Sequence, residues 1–333
     1  MLAHRPQHAV PAVRSLPVAA LVAVALSVTA CGGDDPMAPM DQEPPVDQPA
    51  SLDVTGALVT SQRIVFTSYR NGQYDIYKMD PAGQNVVRLT TSPASESEAA
   101  WSFDNKRVAL VRPRVNAANQ TWRDIYIVNG DGTNGHWARP TAPANFELSH
   151  PSWSPDGSKL AVSMSLNGVY YVSYLILATG KLSAYSTGYG GLPGTWPTYT
   201  KSGQIVYLGP TRKTVNRING DGSGNKILFT STQTLLQPTL SPDRTKLLFV
   251  RMVDEVLLNS EIFLKNLSTG TTTKLTNSPG PDMMPTWSPD GSRIAFMSGR
   301  TGIGQVWTMS PTGGNLTRVT QTTTAEGSPS WSH

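Results

Sequence analysis

The sequence predicts an all-β fold: a six-bladed β-propeller of four-stranded antiparallel blades, closed by pairing of its C-terminal strand with its N-terminal strands. Three observations carry that expectation. One phrase recurs along the chain at near-regular intervals, a second phrase alternates with it six times, and the last copy of the first phrase is cut off at the C-terminus while its continuation stands near residue 61.

The first phrase reads WSFDNKRVALV from Trp101, WSPDGSKLAV from Trp153, YTKSGQIVYL from Tyr199, LSPDRTKLLFV from Leu240 and WSPDGSRIAF from Trp287, and it opens again at Trp331. The intervals between these anchors are 52, 46, 41, 47 and 44 residues, close to the ~40 to 45 of a four-stranded propeller blade. The second phrase includes DIYKMDPAGQNVVRLT from Asp75 and QVWTMSPTGGNLTRVT from Gln305. Each unit holds a short run to the anchor, a tight turn, an apolar run such as RIAFMS, a loop, a second run and a Gly-rich turn to a last run. That is four strands bounded by turn signals. Ser-Pro-Asp-Gly suits a hairpin because Pro pre-sets the first central residue, Asp bonds locally and Gly takes the left-handed position.

Ring closure follows from the broken phrase. SQRIVFTS at 61–68 is the continuation missing after SPSWSH at 328–333, so the C-terminal run supplies the innermost strand of the first blade. Such closure covers strand edges that otherwise invite aggregation, and removing residues 328–333 is expected to destabilise the whole ring.

Ahead of the repeats the chain has a different character. Arg5 and Arg14 precede an apolar run over residues 16–30, about 15 residues against the ~18 to 20 of a spanning helix, which reads as a secretory signal. Val28-Thr29-Ala30-Cys31 resembles a bacterial lipobox. That resemblance implies acylation of Cys31, the sole cysteine, and two or more acyl chains give stable membrane attachment. Gly32 rather than Asp after the cysteine favours the outer membrane, with the protein facing the periplasm or the surface. Residues 31–55 are acidic and Pro-rich and read as a tether, leaving 56–333 for the propeller. Loss of residues 1–30 removes two Arg and no acid, so 25 cationic against 23 anionic residues leaves +2, no argument for nucleic acid.

The repeats resemble the TolB family of envelope propellers, whose signature is close to SPDGxxIAFxSxRxGxxDIYxMxxxGxxxxRLT; Trp287 to Thr320 and Phe66 to Thr90 match it best. The resemblance implies a propeller of the kind that serves the envelope pore system, binds peptidoglycan-associated lipoprotein or gates a prolyl peptidase. Here it comes without the α/β domain that precedes the propeller in TolB, and with its own lipid anchor.

A search for chemistry finds little. No G-x-S-x-G occurs, and a Ser-His pair would have to use His136 or His150. Asn129-Gly130-Asp131-Gly132 and Asn219-Gly220-Asp221-Gly222 lack the downstream Glu of a calcium loop and read as turns. Asp75, Asp124 and Glu261, with Arg70 and Arg300, are expected to pair between strands. No catalytic residue, metal or cofactor is expected.

The topology separates two faces, and the longer loops share the one opposite the Ser-Pro-Asp-Gly turns, where binding residues concentrate. Three residues before each anchor stand Glu98, His150, Trp196, Gln237, Met284 and Ser328; two places earlier stand Glu96, Asp282 and Glu326. The next position is Ala99 and then proline in every copy, which a backbone constraint explains. A rim of unlike acidic, aromatic and imidazole groups suits recognition. The sequence therefore points to a monomeric, lipid-anchored binding or scaffold module for an envelope protein, peptide or glycan. The alternative is a propeller-fold carbohydrate lyase or hydrolase with its chemistry in the channel.

Overall fold

The computed structural model describes residues 62–141, 146–185, 191–254 and 259–333. The signal segment 1–30, Cys31, the tether 31–55 and residues 56–61 lie outside the described residues. Every described element is a strand, and the strands form six antiparallel sheets. Among these residues no helix is long and apolar enough to cross a membrane.

Blade 1 is ordered Glu326–Trp331, Ile64–Ser68, Asp75–Met79, Val87–Arg88, so its innermost strand comes from the far end of the chain. The expected closure is therefore present, with Ile64 opposite Trp331 and Ser68 opposite Glu326. Ser332 N donates to Arg63 O at 2.7 Å, and Arg63 N donates to Ser332 Oγ at 2.7 Å. His333 stacks on Phe103 of the next blade at 3.9 Å between ring centroids.

Blades 2 to 6 take their innermost strands in chain order: Ser97–Trp101, Glu147–Trp153, Thr195–Tyr199, Leu235–Leu240 and Asp282–Trp287. Blade 3 carries an additional short strand, Leu192–Pro193, paired to its third strand.

The core lies between blades rather than within them. Val65 and Ile76 of blade 1 pack against Trp101, Val108 and Leu110 of blade 2. Ala295 and Val306 of blade 6 pack against Phe66 and Trp331 of blade 1. Strands such as Ile64–Ser68 and Ile294–Ser298 are buried along their whole length. Both faces meet a neighbouring sheet, which is why IVFTS and IAFMS read as nearly continuous apolar runs.

The turns at the first-to-second strand junctions close on themselves. Ser154 Oγ donates to Asp156 Oδ1 at 2.6 Å, Ser158 N donates to the same oxygen at 3.0 Å, and Gly157 takes φ +66°. Asn105 and Arg244 occupy the same left-handed place, at φ +57° and +61°, in the two copies that lack the glycine. The 129–132 and 219–222 loops behave alike: Thr133 N donates to Asp131 Oδ1 and Ser223 N to Asp221 Oδ1, each at 2.9 Å.

Candidate functional site

The innermost strand of every blade carries a β-bulge at one place. In blade 2 the ladder runs Ala100 to Ala109 and then Ser97 to Val111, so Glu98 and Ala99 together oppose one residue. The same skip occurs at 150–151, 196–197, 237–238, 284–285 and 328–329. The first residue of each bulge is left-handed and none is glycine: Glu98 φ +55°, His150 +52°, Trp196 +51°, Gln237 +50°, Met284 +57° and Ser328 +47°. Left-handed backbone is uncommon for such residues and costs about 1–3 kcal/mol where the surroundings hold it. Proline follows in five of the six because the second bulge position needs no ladder N–H.

The bulges place all six of these side chains on the central channel, whose volume is about 1050 Å³. Trp101, Trp153, Trp287 and Trp331 line its wall. Trp153 Nε1 donates to Ala100 O at 3.0 Å, whereas the buried Nε1–H groups of Trp101, Trp287 and Trp331 have no acceptor among the described residues.

The rim residues are tied to one another from blade to blade. His150 N donates to Glu98 Oε2 at 2.6 Å, and Arg123 pairs with the other Glu98 oxygen. Met284 N donates to Gln237 Oε1 at 2.7 Å, and Ser328 Oγ donates to Met284 Sδ at 3.0 Å. The His150 and Trp196 rings lie 4.9 Å apart. Burial opposes ionisation of Glu98, but the imidazole and guanidinium beside it and the His150 backbone N–H hold its pKa down at about 2. Burial, reinforced by Arg123 against the pull of Glu98, lowers His150 to about 4, so its ring is neutral at neutral pH.

The His150 ring lies beside two serine hydroxyls. Its Nδ1 lies 3.2 Å from Ser163 Oγ and 3.0 Å from Ser149 Oγ. Ser163 is fully buried, accepts from Trp196 N at 3.0 Å and bonds Thr195 Oγ1 at 3.1 Å. A hydroxyl so committed, beside an imidazole with so low a pKa, is poorly placed to attack a substrate.

Glu96 and Glu326 also border the channel, but together with Asp282 they differ from the six bulge residues in being buried and paired. Their exposures are 0%, 0% and 2%, and each is paired with an arginine: Glu96 with Arg112, Asp282 with Arg300 at 3.0 Å, Glu326 with Arg70 at 2.9 Å. Thr322 Oγ1 and Ser68 Oγ donate to Glu326 as well, at 2.9 and 3.1 Å. A carboxylate on the inner strand that meets a guanidinium from its own blade is buried by the pairing, so charge reversal there would strike the fold before any partner. The strand-to-strand pairing expected of Arg70 and Arg300 is thus present, with inner-strand acids as partners. Asp75 and Glu261 pair outward instead, with Arg88 and Lys274, and Asp124 pairs both with Arg114 of the second strand and with Arg139.

Arg123, which holds Glu98, and the bulges themselves were not anticipated. The structure makes the bulge visible in the packing: Leu148 and Trp153 lie five apart, which in a regular strand puts them on opposite faces, yet both are buried in one cluster.

The fold and channel define the class: a six-bladed propeller with a wide channel lined by strained, hydrogen-bonded bulges. Within that class residues 205–333 match the family model for the TolB β-propeller domain. The Tol-Pal system protein TolB of Alcanivorax borkumensis is 29% identical over 117 residues, covering 34% of this chain and 25% of that protein. The crystal structure of TolB from Acinetobacter baumannii superposes with a TM-score of 0.68 at 19% identity, over 82% of this chain and 67% of that one. An oligogalacturonate lyase in complex with manganese superposes at 0.51 and 16% identity, over 78% of this chain and 74% of its own, a likeness of fold alone. The C-terminal part of the chain thus resembles the TolB-like propeller family, and the whole ring shares its fold. The chain spans about a quarter of the length of the Alcanivorax relative.

Proposed function

We propose that this protein is a lipid-anchored binding module of the bacterial envelope that presents its long-loop face to a protein partner. The observation that carries the reading is the placement of exposed apolar side chains. Tyr69, Val115, Val169 and Val253 are 42%, 59%, 48% and 44% exposed, and all four stand at second-to-third strand hairpins of that one face. The other large exposed apolar residues, Val87, Ile227 and Leu316, lie on or beside outermost strands. These four share one face, one each on blades 1, 2, 3 and 5, while the opposite face ends in turns whose carboxylates are consumed locally. Glu98, His150, Trp196, Gln237, Met284 and Ser328 line the channel and in this reading supply shape and polarity to the partner surface. Acylated Cys31 and the acidic tether would hold the face within reach of partners at the membrane.

The reading is tested by in-cell photo-crosslinking with a probe at Val169 and a matched probe at Asp156 in an opposite-face turn. One envelope protein captured reproducibly from position 169 alone supports it. Capture from position 156 alone, or from neither position, removes the long-loop face from consideration. A channel enzyme acting on carbohydrate remains the alternative, and it would require chemistry that the Ser163–His150 geometry does not favour. Among the described residues no three His, Cys, Asp or Glu side chains converge as a metal site.

A further inference from the structure

One residue before each strand anchor, the channel wall carries a belt of Ala100, Ser152, Thr198, Thr239, Thr286 and Ser330. Five of these six bear a hydroxyl. On blades 3 and 4 the hydroxyls are engaged: Ser152 Oγ accepts from Tyr199 N at 2.9 Å, and Thr198 Oγ1 donates to Pro238 O at 3.3 Å. On blades 5, 6 and 1, consecutive around the ring, Thr239, Thr286 and Ser330 are half-buried, yet their hydroxyls have no hydrogen bond among the described residues. The next residues on blades 6 and 1, Trp287 and Trp331, are 7% and 3% exposed, line the same wall and have indole N–H groups without an acceptor among the described residues.

This arc is uncharged. Two places before its hydroxyls stand Gln237, Met284 and Ser328, with a proline between in each case. The inner-strand acids of blades 6 and 1, Asp282 and Glu326, are neutralised by Arg300 and Arg70. The other charged side chains on the channel, Glu96, Glu98, Arg123 and Lys201, belong to blades 2 and 4. A charged ligand held against the arc would lose hydration without gaining a counter-charge, whereas an uncharged, hydroxyl-bearing one exchanges water for the free Ser and Thr groups. Addition of a peptide strand is opposed by the left-handed bulge and the proline that interrupt each of these inner-strand edges.

We infer that the channel wall of blades 5, 6 and 1 is a binding site for a neutral oligosaccharide. The site is separate from the long-loop residues that carry the protein-partner reading, and it requires no catalytic group. A hydroxyl donates and accepts through one oxygen, so a hydroxyl repeated at each blade suits a chain whose own groups do both. Proline rings and indole edges between them offer apolar surface to the C–H faces of sugar rings. The channel, about 1050 Å³, stands at the upper end of the ~300–1,000 Å³ of ligand sites, which favours an oligomer over a single sugar.

The test titrates the full chain with maltohexaose, cellohexaose and N-acetylchitohexaose, read by the fluorescence of the channel tryptophans and by calorimetry. Thr239→Val with Thr286→Val removes two hydroxyls at nearly constant shape and no hydrogen bond within the fold, so the double variant should keep the wild-type melt. Thr286→Ser restores one hydroxyl in that background, and Thr273→Val, on the exposed outermost strand of blade 5, is the control. The expected result is binding of at least one of the three sugars, weakened about tenfold in the double variant, partly recovered with Ser at 286 and unchanged by the control. Ser330→Ala gives an independent readout on blade 1, with a loss of about threefold. Binding of none of the three sugars overturns the proposal, as does equal affinity in the wild type, the double variant and Ser330→Ala. Tighter binding of hexagalacturonate than of any neutral sugar, or hydroxyl-dependent binding of a Gly-Ser hexapeptide in place of sugar, overturns it as well.

Discussion

The backbone N–H of His150 donates to the carboxylate of Glu98, one blade away, at 2.6 Å, while the two side chains stay 4.0 Å apart. The contact joins two left-handed bulges, so the titration of both groups bears on the packing of blade 2 against blade 3.

A pH dependence follows. The folded pKa of His150 is about 4 against an ordinary 6.5, so between those values the unfolded chain binds a proton that the folded one does not. Stability is therefore present above pH 6.5 and falls as the pH drops toward 4. The depression corresponds to about 3 kcal/mol at most. Glu98, depressed to about 2, extends the loss below its ordinary 4.5. His333, lowered to about 4 by burial and Lys201, acts in the same direction as His150. Thermal melts from pH 7 to 4.5 should show a slope that His150→Asn reduces and His150→Asn with His333→Asn nearly abolishes. An unchanged slope in the double variant would refute the assignment.

The buried carboxylates of the inner strands give a stability prediction. Glu326→Gln leaves Arg70 without its counter-charge and should cost about 3 kcal/mol in urea unfolding, the usual scale for one partner lost from a buried pair. Arg251→Gln, which severs no such pair among the described residues, should cost less than about 1 kcal/mol. Equal costs would mean that the inner-strand acids are not structural.

Ring closure is tested by shortening the chain. Ending it at Gly327 removes Trp331, 3% exposed, together with its ladder to Ile64. A loss above about 4 kcal/mol is expected from the indole and its packing, and the domain should expose blade edges that aggregate on heating. A melt matching that of the full chain contradicts closure.

The bulge strain can be relieved at one position. Ser328, at φ +47°, makes one side-chain contact, to Met284 Sδ. Ser328→Gly should raise stability by up to about 1 kcal/mol, and Ser328→Val should lower it by about 1–2 kcal/mol, because a β-branched residue tolerates left-handed backbone least. Denaturant midpoints of the two variants, read against the wild type, check the signs.

Lipid attachment has its own readout. Labelled palmitate should enter the wild-type protein and not Cys31→Ser, and the variant should leave the membrane fraction. Labelling that persists in the variant places the anchor elsewhere.

Much of this architecture was legible from sequence because a propeller writes itself in repetition. The anchors at Trp101, Trp153 and Trp287 and the Ser-Pro-Asp-Gly turns recur because each blade solves the same packing and turn problem, and the broken phrase at Trp331 located the closure. The rim was legible as positions, since repetition fails at Glu98, His150, Trp196, Gln237 and Met284 while the following residue stays nearly constant. Its chemistry was not. Glu96, Glu98, Asp282 and Glu326 look alike as letters, yet Glu98 sits on a left-handed bulge and bonds the next blade, whereas the other three are buried against Arg112, Arg300 and Arg70 of their own blades.

By itself the sequence determined the blade count, the turn chemistry and the joining of the two ends, all properties of local period and spacing. Only the tertiary structure decided which charges are spent within the fold and which are left over. That depends on what meets in space: Arg112 meets buried Glu96 and Arg300 meets buried Asp282, while Glu98 meets Arg123 and the backbone of His150. A pairing between strands is a through-space relation that no local pattern encodes.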